Sequence, residues 1–157
     1  MSVDVLTYGF AFLIGVTAGL RALTPLAAVS WAARLGHLML GNTWLAFLGY
    51  AVTPYITTVL ALGEIVNDKM PKTPSRKAPP SFVIRTVMGA LTGAAVGAST
   101  GSLIIGLIAG AVGAVVGTLG GYEFRSALAK AFGKDLPAAL IEDAITIALA
   151  VFCSNLA

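Results

Sequence analysis

Five apolar stretches, each near the length that crosses a lipid bilayer, make up most of this sequence. A helix needs about 20 consecutive apolar residues to span the hydrocarbon core. The composition agrees, because 57% of the residues are hydrophobic and only 11% are charged, against about 25% charged residues in ordinary soluble domains. Too few polar side chains remain to cover a water-facing surface. We therefore expect a single all-α integral membrane domain at 1–157.

The polar breaks between these stretches predict about five transmembrane helices and one short helix. Proline suits the first turn of a helix and disfavours helix at the residue before it, so Pro25 predicts a new helix after Arg21. This helix, at 25–35, is too short to cross a bilayer and is either re-entrant or interfacial. Pro54 is expected to kink the second span. The predicted spans are 3–20, 43–68, 81–100, 103–125 and 137–157.

A basic, proline-rich loop at 69–80 sets the predicted orientation. Cytoplasmic loops of membrane proteins carry an excess of lysine and arginine. With this loop in the cytoplasm, five spans put the N-terminus in the cytoplasm and the C-terminus outside. Arg21 then lies externally, where it could bind an anion together with the amide groups at the start of the Pro25 helix. His37, the single histidine, is expected to be an ordinary loop residue.

Glycines recur along the third and fourth predicted spans, often at a spacing of four. Small residues at this spacing share one helix face and let two backbones approach closely, which favours helix association in lipid. We expect glycine-zipper packing, either between these two spans or between protomers, in preference to a pore lining. The glycines are Gly89, Gly93, Gly97, Gly101, Gly106, Gly110, Gly113, Gly117 and Gly121.

The end of the first span resembles the end of the fourth. Each has small residues at helical spacing, then an arginine (Arg21 or Arg125), a short amphiphilic piece and another span. In the predicted topology the two units point in opposite directions, and inverted repeats are common in transporter folds. One interpretation is an inverted repeat, in which spans one and two correspond to spans four and five in the opposite orientation. The alternative is that the similarity arose by chance.

Glu142 and Asp143 are the charges that constrain a site most strongly. The last span has 21 residues, which is about 31 Å of helix, so it cannot cross a bilayer core and leave these carboxylates outside. The third span must carry Arg85 for the same reason. Charged side chains within a span are costly unless they meet a partner or water, so they normally face the bundle.

The predicted topology brings five acids and two arginines to the same level. This excess of acid favours a functional site, because unpaired carboxylates at depth bind cations or take up protons. The alternatives are a salt-bridge network that fixes helix register and charges that snorkel to the interface, and the loop lysines are expected to face water and lipid. The candidate solute- or ion-binding residues are Glu64, Asp68, Arg85, Glu123, Arg125, Glu142 and Asp143, with Arg21 as a separate candidate.

Five stretches carry a family resemblance: GLRALTPLAAVSWAARLG at 19–36, GEIVNDKMPKTPSR at 63–76, GALTGAAVGA at 89–98, GTLGGYEFR at 117–125 and DLPAALIEDA at 135–144. In these stretches the chain resembles a family of small bacterial integral membrane proteins filed under a domain of unknown function. The resemblance implies a multi-span protein of the bacterial inner membrane without an assigned activity. It also implies that the acidic positions of the family correspond to Glu64, Asp68, Glu142 and Asp143.

These patterns favour a small transporter or channel, assembled as a homo-oligomer, that moves a small solute or ion past the charged residues. A non-transporting scaffold or accessory subunit is the alternative. An enzyme acting on lipid is less favoured, because no nucleophile–base pair or metal-ligand set stands out, although Arg21, Arg85 and Arg125 could hold a lipid phosphate. We expect membrane lipids as partners, no nucleic acid, no metal and no cofactor.

Overall fold

The computed structural model describes residues 3–157, and within this range the chain is helical and contains no strand. The expected all-α fold is confirmed for these residues, whereas Met1 and Ser2 lie outside them. The described elements are α1 (Val3–Leu20), α2 (Thr24–Arg34), a 3-10 helix (Trp44–Gly49), α3 (Thr53–Asn67), α4 (Pro79–Ala98), α5 (Leu103–Phe132) and α6 (Asp135–Leu156).

Three of these helices, α4, α5 and α6, are long and apolar enough to cross a membrane. The apolar part of α1, Asp4–Leu20, is shorter. Large apolar side chains such as Ile104, Leu140 and Phe152 are exposed on the outer faces of the bundle. Apolar surface of this extent is typical of contact with lipid. The chain is therefore a helical membrane protein.

The predicted second span is not one continuous helix. Residues 44–49 form the 3-10 helix, the backbone is extended at Tyr50, and α3 begins at Thr53. Pro54 lies in the first turn of α3 and does not kink a longer helix. The physical reason is that proline lacks an amide hydrogen, which is not needed in the first turn of a helix. The remaining helix has 15 residues, or about 22 Å.

The fourth predicted span is longer than expected. α5 has 30 residues, or about 45 Å, which exceeds the roughly 30 Å of a bilayer core. It ends at Phe132 and is followed by Gly133, whose φ of +68° is the left-handed conformation that favours glycine after a helix. α6 then starts at Asp135, so the two helices form a tight hairpin.

Glycines allow α1, α4 and α5 to pack at very short distances. A Cβ atom added at Gly93 would lie 2.7 Å from the Cα of Gly110 on α5. On the other side of α5, a Cβ added at Gly117 would lie 2.9 Å from the Cα of Val16 on α1. Larger residues at these positions would force the backbones apart, so the sequence permits this packing only through its small residues.

The contacts between α1 and α5 also show their relative direction. Gly15 approaches Gly110, and Gly19 approaches Gly117, so sequence numbers rise together along the two helices. The two helices are therefore parallel. The inverted relation predicted between the first and fourth spans does not hold for this pair, because it depended on a topology that the structure does not have.

α2 and α3 form an antiparallel hairpin. The indole nitrogen of Trp31, in the last turn of α2, donates to the hydroxyl of Thr58 on α3 at 3.0 Å. The amides of Ala22 and Leu23, just before α2, donate to the carboxylate of Glu64 near the end of α3. The chain therefore enters and leaves this hairpin at the same end of the bundle.

Because α2 and α3 form a hairpin, Arg21 lies at the opposite end of the bundle from the one predicted. Arg21 contacts Asp68, which follows α3, and Asp143, in the third turn of α6. The predicted topology placed Arg21 at the opposite end from these two carboxylates. It did so because 25–35 and 43–68 were counted as a short helix and a full crossing, whereas they return the chain to the end it started from.

The start of α1 and the end of α6 both lie at the end of the bundle away from Arg21, beside the turn between α4 and α5. The hydroxyl of Tyr8 donates to the hydroxyl of Ser102, at the turn between α4 and α5, at 3.0 Å. The hydroxyl of Ser99, at the same turn, donates to the carbonyl oxygen of Ala157 at 3.4 Å. The described chain thus begins and ends at one end, so the predicted placement of the two termini on opposite sides is wrong for these helices.

Candidate functional site

Charged side chains gather at the end of the bundle where α1 and α3 stop and α6 starts. We call this group the ionic cluster. It joins four cations to four carboxylates through ion pairs. Its members are Arg21, Lys69, Arg76, Arg125, Asp68, Asp135, Glu142 and Asp143.

Arg21 lies at the centre of the ionic cluster and is completely buried. It directly follows α1, so the end of that helix aims its side chain into the bundle. Its Nε donates to Oδ1 of Asp143 at 2.7 Å, and it also contacts Asp68. The second oxygen of Asp143 accepts from Nζ of Lys69 at 2.5 Å. Both charges of this buried pair are therefore matched, as burial requires.

Arg76 and Glu142 form the second buried pair. Glu142 is 1% exposed. NH1 of Arg76 donates to Oε1, and NH2 donates to Oε2 at 2.5 Å. This two-pronged pairing is the strong geometry that a planar guanidinium makes with a carboxylate. Arg76 comes from the loop between α3 and α4, so the pair fastens that loop to α6.

Asp68 is the junction of the cluster. Its Oδ2 contacts Arg21, accepts from NH1 of Arg125 at 2.7 Å, and lies 3.5 Å from NH2 of Arg76. Burial alone would raise the pKa of Asp68, but the nearby guanidinium groups of Arg21 and Arg76 lower it to about 2. Asp68 is therefore ionised at neutral pH. On its outer side, Arg125 holds Asp135 at 2.6 Å.

Glu64 and Arg85 lie beside the ionic cluster and cap the backbone groups at the break between α1 and α2. The carboxylate of Glu64 accepts from the amides of Ala22 and Leu23, both at 2.8 Å. NH1 of Arg85 donates to the carbonyl oxygens of the last two residues of α1, at 2.9 and 2.7 Å. Helix ends leave such backbone groups without partners. The two side chains themselves are 4.0 Å apart.

The structure brings most of the predicted site residues together. Asp68, Arg125, Glu142 and Asp143 belong to the ionic cluster, and the burial of the last two agrees with the argument from helix length. Glu64 and Arg85 adjoin it. Arg21, predicted at the far end, is at its centre. Glu123 lies outside, because its exposed carboxylate pairs only with Lys77 at 3.3 Å in the described residues.

Three members of the cluster were not predicted: Lys69, Arg76 and Asp135. The loop lysines were expected to face water, but Lys69 contacts Asp143. With these residues included, four cations balance four carboxylates, so the predicted excess of acid is wrong. One sequence signal could have found Arg76. It is the single arginine of the basic loop, and arginine is the cation best suited to buried pairing.

The arginines considered for a lipid phosphate do not point to one place. Arg21 is directed at Asp143, Arg85 at the carbonyl groups of α1, and Arg125 at Asp135. Each guanidinium already has partners in the protein. The three side chains therefore do not form a shared phosphate site.

A cavity of about 770 Å³ opens beside the ionic cluster. It lies between the loop that carries Arg76, the C-terminal turns of α5 and the start of α6. Pockets for small organic ligands are typically about 300–1,000 Å³. Its charged lining residues are Asp68, Arg76, Arg125, Lys130, Lys134 and Asp135.

The fold and the site together define the class of protein: it is an all-helical membrane protein with a buried ionic cluster at one end of its helix bundle. The chain belongs to the family described as Domain of unknown function (DUF4126), which it matches over residues 9–156. The expected membership of a domain-of-unknown-function family is thereby confirmed. Comparisons with curated proteins and with solved structures gave no match.

Proposed function

We propose that this protein is a small membrane transport protein, and that the ionic cluster closes one end of the route for a small solute or ion. The observation that carries this proposal is the cavity that opens onto the cluster. Buried ion pairs are often no more stabilising than apolar side chains of similar volume. A set of eight charges where a cavity ends therefore supports a role beyond packing.

Arg76 supports a gating role for the loop between α3 and α4. It is the loop residue that reaches Glu142, and the next residue, Lys77, lies 4.0 Å from the centre of the Tyr122 ring. Movement of the loop away from α5 would break both contacts. The cavity would then extend to Glu142.

We also propose that α1, α4, α5 and α6 cross the membrane, and that the α2–α3 hairpin re-enters from the cluster end. α2 has 11 residues and α3 has 15, or about 16 and 22 Å, both shorter than the bilayer core. The basic loop favours the cytoplasm for the cluster end. Both ends of the chain are then external, in a bacterial inner membrane.

The second candidate is a non-transporting scaffold or accessory subunit. The observation that favours it is that every charge in the ionic cluster has a partner of opposite sign. A network that is already complete can fix the register of helices without binding anything else. In this case the loop stays closed and the cavity has no transport role.

The substitution Glu142→Gln separates the two candidates. It removes the charge that holds Arg76, and the matched substitution Glu123→Gln removes an exposed charge outside the cluster. For a transporter we expect Glu142→Gln to change flux into proteoliposomes at least about tenfold, which corresponds to about 1.4 kcal/mol. Glu123→Gln should leave flux unchanged. The assay panel is protons, sodium, potassium, inorganic phosphate, citrate and amino acids.

Size-exclusion profiles and melting temperatures of both variants show whether they remain folded. If the wild-type protein gives no flux for any solute of the panel, transport is rejected. If the wild-type protein shows no flux and Glu142→Gln changes the melting temperature, the ionic cluster is a structural network.

A further inference from the structure

We propose that the cavity beside the ionic cluster binds an oxyanion group, a carboxylate or a phosphate, of an organic molecule. This inference rests on the proposed function, because it names the substrate class for the same route. It is carried by the charges, the free donors and the size of the cavity.

The cavity wall carries an excess of positive charge. Four cationic side chains line it, against the two carboxylates of Asp68 and Asp135. Both carboxylates are already occupied. Asp135 accepts from Nε and NH2 of Arg125 at 3.0 and 2.6 Å, and Asp68 contacts Arg21, which lies outside the lining, as well as two lining arginines. A cleft with one dominant sign of charge concentrates ions of the opposite sign.

Lys130 and Lys134 supply the unmatched charge. Both are exposed, and within residues 3–157 neither ammonium group has an ion pair or a hydrogen bond. They stand on either side of Gly133, whose left-handed backbone makes the turn from α5 into α6. The turn brings both side chains to the same cavity. Two free ammonium groups on one wall are a means of holding a divalent or trivalent anion.

The other lining groups fit an organic anion better than a bare inorganic ion. The hydroxyl of Ser126 can donate to an oxygen atom, and Met70 and Tyr122 add apolar surface. The volume of about 770 Å³ is far larger than a single phosphate needs. The occupant is therefore an organic molecule whose oxyanion groups face the lysines.

Anion binding would also act on the gate. Arg76 lines the cavity and is held by Glu142 through two hydrogen bonds. A carboxylate or phosphate in the cavity offers the same two-oxygen geometry, so it competes with Glu142 for the guanidinium. Binding thus weakens the pair that fastens the loop. This couples occupation of the site to opening of the cluster.

The test is equilibrium binding to the purified full-length protein, with citrate and inorganic phosphate as probes in isothermal titration calorimetry. The variant is Lys130→Gln with Lys134→Gln, and the matched control is Lys72→Gln, an exposed lysine of the basic loop outside the cavity lining. We expect citrate to bind more tightly than phosphate, and to bind the double variant at least tenfold more weakly than the wild-type protein. The control should stay within about twofold, because Lys72 does not line the cavity.

The oxyanion could belong to a free solute or to a lipid headgroup. Binding measured in nanodiscs of two lipid compositions distinguishes these sources. Citrate binding in nanodiscs of phosphatidylcholine alone identifies a free solute. Binding that appears only with phosphatidic acid in the nanodiscs, and that depends on Lys130 and Lys134, identifies a headgroup.

The inference is overturned if citrate, phosphate and phosphatidic acid all fail to bind the wild-type protein, or if the double variant binds as the control does. Flux without anion binding overturns this inference and leaves the proposed transport function intact. Anion binding without flux supports the site and removes transport, so the two failures are distinguishable.

Discussion

Asp68 is the residue on which the ionic cluster depends most. One of its oxygens is shared by Arg21, Arg76 and Arg125. Removing one partner of a buried ion pair costs about 3–5 kcal/mol, because the other charge remains buried without compensation. Arg21 has no access to solvent, so it cannot replace Asp68 with water.

We predict that the protein loses stability in acid through Asp68. The pKa of this carboxyl group is lowered from 3.8 to about 2 in the folded protein. A lowered pKa means that the stabilisation is complete above about pH 4 and disappears as the pH falls through about 2. The contribution is about 2 kcal/mol. The free energy of unfolding in detergent, measured between pH 5 and 2, should fall accordingly.

The variant Asp68→Asn is the control for this pH dependence. It should be less stable at every pH above 4 by about 3 kcal/mol, and its stability should change less between pH 5 and 2. Asp135→Asn removes a largely exposed carboxylate and should cost about 1 kcal/mol or less. Equal slopes in the wild-type protein and Asp68→Asn would show that another group controls the acid transition.

α5 is the element that organises the bundle, because other helices pack against two of its faces. Gly110 lies where these faces meet, with Gly93 of α4 on one side and Gly15 of α1 on the other. Gly120, on the same helix, has no atom within 4 Å of the position that a Cβ would occupy. The two glycines therefore differ in surroundings while sharing their secondary structure.

We predict opposite effects for the same substitution at these positions. Gly110→Ala should destabilise the protein by about 1–3 kcal/mol, because the added methyl group overfills a packed contact. Gly120→Ala should be neutral or stabilising by up to about 1 kcal/mol, because alanine favours helix over glycine. Melting temperatures in detergent test both. Similar values for the two variants would mean that the close approach of the helices is not a stabilising contact.

At the scale of the whole molecule, the chain starts and ends away from the ionic cluster. We predict that Asp4→Cys and Asn155→Cys, introduced singly with Cys153→Ala, react with a membrane-impermeant thiol reagent from the same side. Both original side chains are exposed. Lys72→Cys should react only from the other side. Labelling of intact cells and of inverted vesicles distinguishes the sides, and opposite accessibility of residues 4 and 155 would contradict the topology.

The length and position of α1, α4 and α6 could be predicted from the sequence to within two residues, whereas α5 continues seven residues beyond its predicted end. The bounds of α1, α4 and α6 follow from apolar runs and from proline or glycine at their ends. The burial of Glu142 and Asp143 follows from length alone, since 21 residues leave no spare turn. These features are local, so one segment contains all the information that determines them.

The direction of the helices and the partners of the charges could not be predicted in the same way. An apolar pattern is the same for a helix that crosses and for one that turns back. The sequence therefore left 25–35 as re-entrant or interfacial and predicted 43–68 as a full crossing, with no sign that the two segments pair in one hairpin. The pairing of Arg76 with Glu142 depends on how a loop folds over a distant helix. A periodicity within one segment contains no information about such contacts.

The capped break between α1 and α2 has a consequence for biogenesis. The backbone amides and carbonyl groups at this break form hydrogen bonds with the side chains of Glu64 and Arg85. Both residues follow Leu20 by more than forty positions, so the ribosome adds them later. In lipid, unsatisfied backbone groups cost several kcal/mol each. The nascent N-terminal region must therefore stay hydrated, or sheltered by the insertion machinery, until α3 and α4 have been synthesised.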